Sequence, residues 1–115
     1  MSKSQLPSTA QERRWFDALQ QAKAAKQRIR ERRLKQTILE AYRPLVVKVA
    51  TLCAAQDRKA YPLVRSRQQG MRGLTKAVEA YHLNSRYRFL TYAVWCIRHA
   101  IKGPEKRRRH IGARK

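Results

Sequence analysis

The amino-acid sequence predicts an all-α protein: a bundle of three to four helices with a basic N-terminal helix before it and a basic C-terminal tail after it. Three observations support this prediction. Apolar residues from Ile38 to Leu52 recur at alternating four- and three-residue steps, which places them on one helix face. Residues 9–36 contain neither proline nor glycine, the two residues that most weaken a helix. Residues 86–102 carry two apolar stripes at helical spacing.

Length and charge narrow the function classes. With 115 residues the chain can form one small domain plus terminal segments. Its formal net charge of +21 favours a polyanionic partner, either nucleic acid or an anionic membrane surface. No apolar run is long enough to span a membrane, and the N-terminus has no apolar signal core. We therefore expect a cytoplasmic protein with no membrane partner.

No enzyme chemistry, metal site or cofactor is expected. Cys53 and Cys96 stand without C-x-x-C or Cys/His ligand spacing, so each is expected to be a reduced, buried thiol. The seven acidic residues are scattered, and neither a nucleophile-base pairing nor a phosphate-cradling glycine loop is visible.

Residues 1–7 are polar and expected to be flexible, and a basic helix is expected over residues 8–36. Ser8-Thr9-x-x-Glu12 resembles a capping box, with Thr9 as N-cap and Glu12 reaching back to it. The apolar stripe of this helix is thin, comprising Trp15, Leu19, Ala22 and Ile29. Two interpretations stay open: a solvated basic helix, or one that folds against DNA, RNA or a polymerase. Its apolar face is too thin to favour a helix that lies on a membrane surface.

The helical domain is expected over residues 37–103. Its first helix buries one face, and Pro44 is expected to break it near Tyr42 to Pro44 because proline lacks the amide proton. A charged loop follows over Ala54 to Pro62. The buried face predicted for the first helix consists of Ile38, Tyr42, Leu45, Val49 and Leu52.

The next helix is expected from about Pro62 to Tyr81. Gly70 and Gly73 lie inside it, which predicts a close helix crossing where a side chain would not fit. Its apolar side is expected to comprise Leu63, Val64, Leu74, Ala77, Val78 and Tyr81. Gly103-Pro104 is expected to end the last helix. The basic tail over residues 104–115 either stays disordered until a polyanion neutralises it or only aids solubility.

Four aromatic residues fall within nine positions between Tyr87 and Trp95. A helix starting near Phe89 would place one stripe toward the core: Phe89, Ala93, Ile97 and Ala100. A second stripe, Tyr92, Trp95 and His99, would have cationic edges from Arg88, Arg98 and Lys102. Bases stack on aromatic rings while cations follow the phosphate backbone, so this face suits single-stranded nucleic acid. The alternative is that both stripes belong to the core.

Two blocks of the sequence resemble the second conserved region of bacterial sigma factors. Gln68-Gln69-Gly70-Met71-Arg72-Gly73-Leu74 continuing to Tyr81 is similar to the family pattern Q-E-G-x-x-G-L-x-x-A-V-x-x-F, and residues 87–101 are similar to F-x-F-S-T-Y-A-x-W-W-I-R-Q-A-I. Leu45-Val46-Val47-Lys48-Val49-Ala50 resembles the L-V-V-x-I-A helix that precedes them. The resemblance covers about residues 38–102, and its second block is specific.

The resemblance implies a transcription regulator that binds promoter minus-ten DNA as a non-template single strand. The implied DNA-binding residues are Tyr87, Arg88, Phe89, Thr91, Tyr92, Trp95, Arg98, His99 and Lys102. It also implies docking on the clamp of bacterial RNA polymerase, through Arg65, Gln68, Gln69, Met71, Arg72 and Thr75. Regions resembling the later sigma domains are missing. The chain would then act as half of a split sigma factor, with a second protein supplying the missing regions, or as a phage or accessory regulator.

Two departures from the family pattern change what the resemblance implies. Cys96 replaces the second of the paired tryptophans, so DNA melting is expected to be weaker. Arg65, Arg67 and Gln69 stand where the family carries acidic residues, which weakens docking onto a basic clamp surface. The alternative function is therefore general nucleic-acid binding without polymerase, as a sigma-derived DNA binder or a ribosomal-type RNA binder.

Overall fold

The described part of the protein folds into four helices. The computed structural model describes residues 6–83 and 85–114, and for residues 104–114 it describes the backbone. The helices are α1 (Thr9–Ala24), α2 (Arg28–Gln56), α3 (Leu63–Ala80) and α4 (Phe89–Arg114). Over these residues there is no strand, which confirms the all-α prediction. Within the same ranges, no helix combines the length and apolarity needed to cross a membrane.

One hydrophobic core holds the four helices together. Helix α3 packs between α2 and α4, α4 also contacts α2, and α1 lies on α2. Phe16 of α1 joins the core through its ring contacts with Phe89 and Tyr81. The largest fully buried side chains are Tyr42, Phe89, Leu19, Ile38, Leu74, Ile97, Val46 and Val78.

The N-terminal helix begins as predicted but is capped differently. Ser8 is the N-cap, and its Oγ accepts a hydrogen bond from the backbone N of Gln11 at 3.1 Å. The prediction that Thr9 is the cap and Glu12 reaches back to it was therefore wrong. Glu12 shares the inner face of α1 with Phe16 and Leu19, because these residues are spaced by four and three, and it is 2% exposed.

The predicted continuous helix over residues 8–36 is also wrong, because the chain turns sharply at Ala25–Gln27. Lys26 adopts a left-handed conformation with φ 58°. The backbone N of Gln27 donates to Ala22 O, and the backbone N of Lys26 donates to Lys23 O. This pair of bonds is the Schellman motif, which usually has glycine at the position of Lys26. The turn folds α1 back over α2, so α1 is packed rather than solvated.

Helix α2 runs through Pro44, so the break predicted near Tyr42 to Pro44 does not occur. Proline removes one helical hydrogen bond, but the buried side chains of Leu45, Val46 and Val49 hold the second half of α2 in register. Leu52 was predicted to be buried and is 59% exposed, whereas Cys53 is buried in its place. The predicted domain boundary at 36/37 falls inside α2.

The two glycines of α3 lie at a close helix crossing, as predicted. A Cβ on Gly73 would stand 2.6 Å from the backbone O of Cys96 and 2.8 Å from the Cβ of Ala100, both in α4. A Cβ on Gly70 would stand 2.8 Å from Cγ1 of Val46 in α2. Leu74, Ala77 and Val78 are buried beside them as predicted, whereas Val64 is exposed.

Helix α4 does not end at Gly103-Pro104 but continues to Arg114, so the predicted stop and disordered tail were wrong. Proline disfavours a helical conformation at the residue before it, mainly through a clash between its Cδ and that residue's Cβ and N–H. Gly103 has no Cβ, which removes part of this clash. The lysines and arginines that follow are good helix formers.

Candidate nucleic-acid interface

Helix α4 separates its side chains into an inner and an outer face. Phe89, Ala93, Ile97 and Ile101 are buried at steps of four residues. Thr91, Trp95, Arg98 and His99 are exposed on the outer face. The two predicted stripes are therefore present with two differences: Ile101 rather than Ala100 completes the buried stripe, and Tyr92 of the outer stripe is half-buried and packs against the core.

A buried carboxylate of α1 caps the N-terminus of α4. The backbone N of Phe89, the first residue of α4, donates to Oε2 of Glu12 at 2.8 Å. Oε1 of Glu12 accepts from Tyr42 Oη at 2.8 Å and from Arg88 Nη2 at 3.0 Å. A carboxylate at this position satisfies a free backbone donor and complements the positive end of the helix dipole. Glu12 thereby fixes where α4 begins relative to α1 and α2.

Phe89 is a core residue and not a surface for stacking. It is fully buried, and its ring centroid lies 4.6 Å from that of Phe16 and 4.9 Å from that of Tyr42. The expectation that Phe89 contacts DNA conflicts with this placement, because neither face of the ring is open to a base. Its spacing with Ala93 and Ile97 already placed it on the inner stripe.

Arg88 was predicted to neutralise the DNA backbone, but its guanidinium group is engaged inside the protein. Besides Glu12, Nη2 donates to the backbone O of Pro7 at 3.3 Å. These bonds tie the segment before α1 and the start of α4 together. The side chain of Arg88 is 37% exposed, so part of its charge still faces solvent.

Trp95 and His99 form an exposed aromatic stack. Their ring centroids are 4.7 Å apart and the planes are inclined by 13°. Trp95 is 60% exposed, which is unusual for the largest apolar side chain. The residues beside this stack line a shallow groove of about 320 Å³: Thr91, Val94, Trp95, Arg98, His99, Lys102 and Gly103. Rings and cations therefore lie side by side on one surface.

Tyr87 and Tyr92 form a second stack near the start of α4. Their centroids are 5.9 Å apart with an inclination of 30°. Tyr87 is half exposed, and its backbone O accepts a hydrogen bond from Tyr81 Oη at 2.7 Å. Burial raises the pKa of the Tyr92 phenol and of the Cys96 thiol, so both stay neutral at physiological pH. No negative charge arises here to repel a phosphate backbone.

Lys102 links the groove to the connection between α2 and α3. Its Nζ donates to Oε1 of Gln56 at 2.7 Å and lies 5.6 Å from the ring centroid of Tyr61. This cation was predicted to contact DNA, and the structure shows that it also positions α4 against the neighbouring turn. In that turn Oδ1 of Asp57 accepts from the backbone N of Ala60 at 3.1 Å.

The residues assigned to polymerase binding lie on the outward side of α3. Arg65, Gln68 and Arg72 are exposed, and Gln69, Met71 and Thr75 are partly buried. The Thr75 hydroxyl donates to the backbone O of Met71 at 2.9 Å. Helical spacing places this set away from the buried face of Ser66, Gly70 and Leu74. It is separate from the groove on α4.

Reasoning from the sequence missed two kinds of residue at this site. Glu12 was assigned to a local cap, although its spacing with Phe16 and Leu19 could have indicated an inward position. Gln56 and Tyr61 gave no sequence signal, since their contacts to Lys102 arise only from the packing of the helices. Among the described side chains, no group of three or more His, Cys, Asp or Glu could hold a metal ion.

No protein-family model matches the chain, and no solved structure is significantly similar to it.

Proposed function

We propose that the protein is a sigma-factor-like transcription regulator that binds single-stranded promoter DNA through the outer face of α4. The observation that carries the proposal is the exposed Trp95, stacked on His99 and flanked by Arg98 and Lys102. Stacking of a base on an aromatic side chain contributes about 1–3 kcal/mol to binding. An indole that stays exposed to water contributes no hydrophobic stabilisation, so a bound base would give Trp95 a favourable contact.

The arrangement of charge supports a strand running along α4. Thr91, Trp95, Arg98 and Lys102 follow one another at four, three and four residues, so they form one row along the helix. A row of this kind offers a base-stacking position with cations on its C-terminal side. Tyr87 and Tyr92 extend the aromatic surface toward the start of α4.

The sigma-like part of the proposal rests on the sequence resemblance over residues 38–102. In that family the matching segment captures flipped bases of the minus-ten element. Because Phe89 is buried, base capture here falls to Tyr87, Tyr92 and Trp95. Cys96, which replaces a tryptophan of the family pattern, is half-buried. The outward face of α3 would dock on the polymerase clamp, and its arginines favour an acidic rather than a basic partner surface.

General nucleic-acid binding without polymerase is the second candidate. It is favoured by the net charge of +21, much of which lies away from α4. The two candidates differ in whether binding depends on the aromatic groove and on polymerase.

A binding comparison tests the groove. Trp95→Ala should weaken binding to single-stranded minus-ten DNA by about 5- to 150-fold, which corresponds to one lost stacking contact. Binding to duplex of random sequence should be nearly unchanged. Val64→Ala is the matched control, since Val64 is 71% exposed on a different helix. Equal losses on both DNAs after Trp95→Ala would contradict the proposed base stacking.

A pull-down tests the polymerase part separately. The protein should retain purified bacterial core RNA polymerase at moderate salt, and Gln68→Ala combined with Arg72→Ala should reduce the amount retained. If wild-type protein retains no polymerase, the sigma-like role fails even where Trp95→Ala gives the predicted result.

A further inference from the structure

The densest run of cations among the described side chains lies outside the groove of α4, at the turn between α1 and α2. Residues 23–35, here named the basic elbow, contain seven cations and one carboxylate, so their net charge is +6 (7 − 1). The cations are Lys23, Lys26, Arg28, Arg30, Arg32, Arg33 and Lys35. The carboxylate, Glu31, is already neutralised by Lys35, whose Nζ lies 3.1 Å from Oε2.

The basic elbow contributes little to the core. The first buried residue of α2 is Ile38, ten positions after its start at Arg28. Ile29 is 72% exposed, and Leu34 is the apolar residue of this part that packs on the core. About two and a half turns of α2 therefore present their side chains mainly to solvent.

Three arginines of the basic elbow are unfavourably placed in α2, whereas Glu31 in its first turn and Lys23 in the last turn of α1 are favourably placed. The N-terminus of a helix has partial positive charge, so Arg28 and Arg30 in the first turn of α2 are repelled by it. Arg28 and Arg32 are also four residues apart, where like charges repel. The side chain of Gln27, the N-cap, caps no backbone N–H of α2, and its Oε1 accepts from Arg30 Nη1 at 3.5 Å. A bound polyanion would relieve all of these repulsions at once.

The chemistry of the basic elbow indicates which polyanion fits. Residues 17–41 contain no aromatic residue, so a single strand would find no stacking surface here. Ile29 is its one strongly exposed large apolar residue, too little for a helix that inserts into a membrane surface. A recess of about 340 Å³ is lined by Arg28, Glu31, Arg32 and Lys35. Its three cations span about 10 Å along the helix, a row suited to successive phosphates.

We propose that the basic elbow is a second nucleic-acid site, which binds the phosphate backbone of duplex DNA without reading its sequence. The site deepens the proposed function, because DNA opened at the groove of α4 remains double-stranded on either side. It does not depend on base stacking, so its test and the test of the groove can fail independently.

The test compares two triple variants of equal charge. The elbow variant carries Arg28→Gln, Arg32→Gln and Arg33→Gln, and the control variant carries Arg58→Gln, Arg67→Gln and Lys76→Gln, all at exposed positions. Binding to a random-sequence duplex is measured over a range of salt concentrations. The slope of log affinity against log salt should become shallower by about 2–3 in the elbow variant. Each lost phosphate contact reduces the magnitude of this slope by about 0.9. The control variant should change it by less than half as much. It carries a change at Arg58 rather than at Arg65, because Arg65 belongs to the proposed polymerase-binding face while Arg58 is exposed outside it.

Three further measurements complete the test. Trp95→Ala should leave the duplex slope unchanged, and the elbow variant should weaken binding to a single strand of the same length less than it weakens duplex binding. Binding to phosphatidylserine vesicles should fall equally in the two triple variants. Equal slopes for both variants, a larger loss on the single strand, or a loss on vesicles confined to the elbow variant would each overturn the proposal. If circular dichroism shows that the triple variant is unfolded, Arg28→Gln alone takes its place in the comparison. This single variant should show about a third of the slope change.

Discussion

The carboxylate of Glu12 and the backbone N of Phe89 lie 77 residues apart in the sequence and 2.8 Å apart in the structure. This hydrogen bond joins the first helix to the start of the helix that carries the aromatic groove. Because the same carboxylate also accepts from Tyr42 and Arg88, one side chain connects three helices. The position of the groove therefore depends on α1, which lies outside the part of the chain with sigma resemblance.

Replacing Glu12 should destabilise the fold strongly. We expect Glu12→Ala to lower the free energy of unfolding by about 3–5 kcal/mol, because two buried donors, Tyr42 Oη and the backbone N of Phe89, and the partly buried guanidinium of Arg88 lose their acceptor. Glu12→Gln keeps the shape and one acceptor oxygen, so its loss should be about 1–2 kcal/mol. Urea unfolding followed by circular dichroism measures both. Glu79→Ala, at an exposed position of α3, should stay within about 0.5 kcal/mol of the wild type. A loss below about 1 kcal/mol for Glu12→Ala would contradict the bridging role.

The stability of the protein should fall at alkaline pH because of Tyr42. Burial, aided by the hydrogen bond to Glu12 and by its charge, raises the pKa of Tyr42 far above its ordinary value near 10. Above about pH 10 the unfolded chain loses this proton and the folded chain keeps it, so the free energy of unfolding decreases as pH rises. The contribution is complete below about pH 10.

Comparison with Tyr42→Phe isolates this effect. The slope of unfolding free energy against pH should be shallower in the variant by up to about 1.4 kcal/mol per pH unit. Tyr81 retains a raised pKa of similar origin and keeps part of the slope in both proteins. Identical slopes for the two proteins above about pH 10 would show that Tyr42 ionises in the folded state.

The glycines of α3 should differ in their tolerance of a methyl group. Gly73→Ala should lower the free energy of unfolding by about 2–3 kcal/mol, because its Cβ would meet the rigid backbone O of Cys96. Gly70→Ala should cost about 1 kcal/mol or less, since the nearest atom belongs to the side chain of Val46, which can shift. Thermal unfolding of both variants tests the order. If Gly70→Ala were the more harmful change, the crossing of α3 and α4 would be looser than described.

Glycine at the turn between α1 and α2 should stabilise the protein. Lys26 has φ 58°, a conformation that is unfavourable for residues with a Cβ. We expect Lys26→Gly to raise the free energy of unfolding by about 1 kcal/mol, measured by urea unfolding. Lys23→Gly, in the last turn of α1, should instead lower it by about 1 kcal/mol. The reverse order would contradict the left-handed turn.

The sequence predicted those features that depend on local spacing. The all-α class, the bounds of α3 to within one residue, the close crossing at Gly70 and Gly73 and most of the buried stripe of α4 follow from periodicity and composition. Spacing put Trp95 on a second stripe but left open whether that stripe belongs to the core, and the structure shows Trp95 exposed. The DNA- and polymerase-binding roles of the residues on α4 and α3 stay predictions.

The remaining features depend on contacts between distant residues. The turn at Lys26 has no glycine or proline to mark it, and it forms because α1 gains core contacts by folding back. Helix α2 continues through Pro44 because burial of its neighbours outweighs one lost hydrogen bond. Arg88 and Lys102 gave the same sequence signal as Arg98, yet the first two have partners inside the protein, at Glu12 and Gln56. Local spacing cannot distinguish these cases.

Fluorescence of Trp95 tests the central claim most directly. The chain has two tryptophans, so Trp15→Phe leaves the indole of Trp95 as the single reporter. Titration of this variant with single-stranded minus-ten DNA should quench its emission in proportion to the strand bound, because a base stacks on the indole. Random-sequence duplex, bound at the basic elbow, should leave the emission nearly unchanged. Saturated single-strand binding without quenching would show that the groove of α4 does not hold the bases.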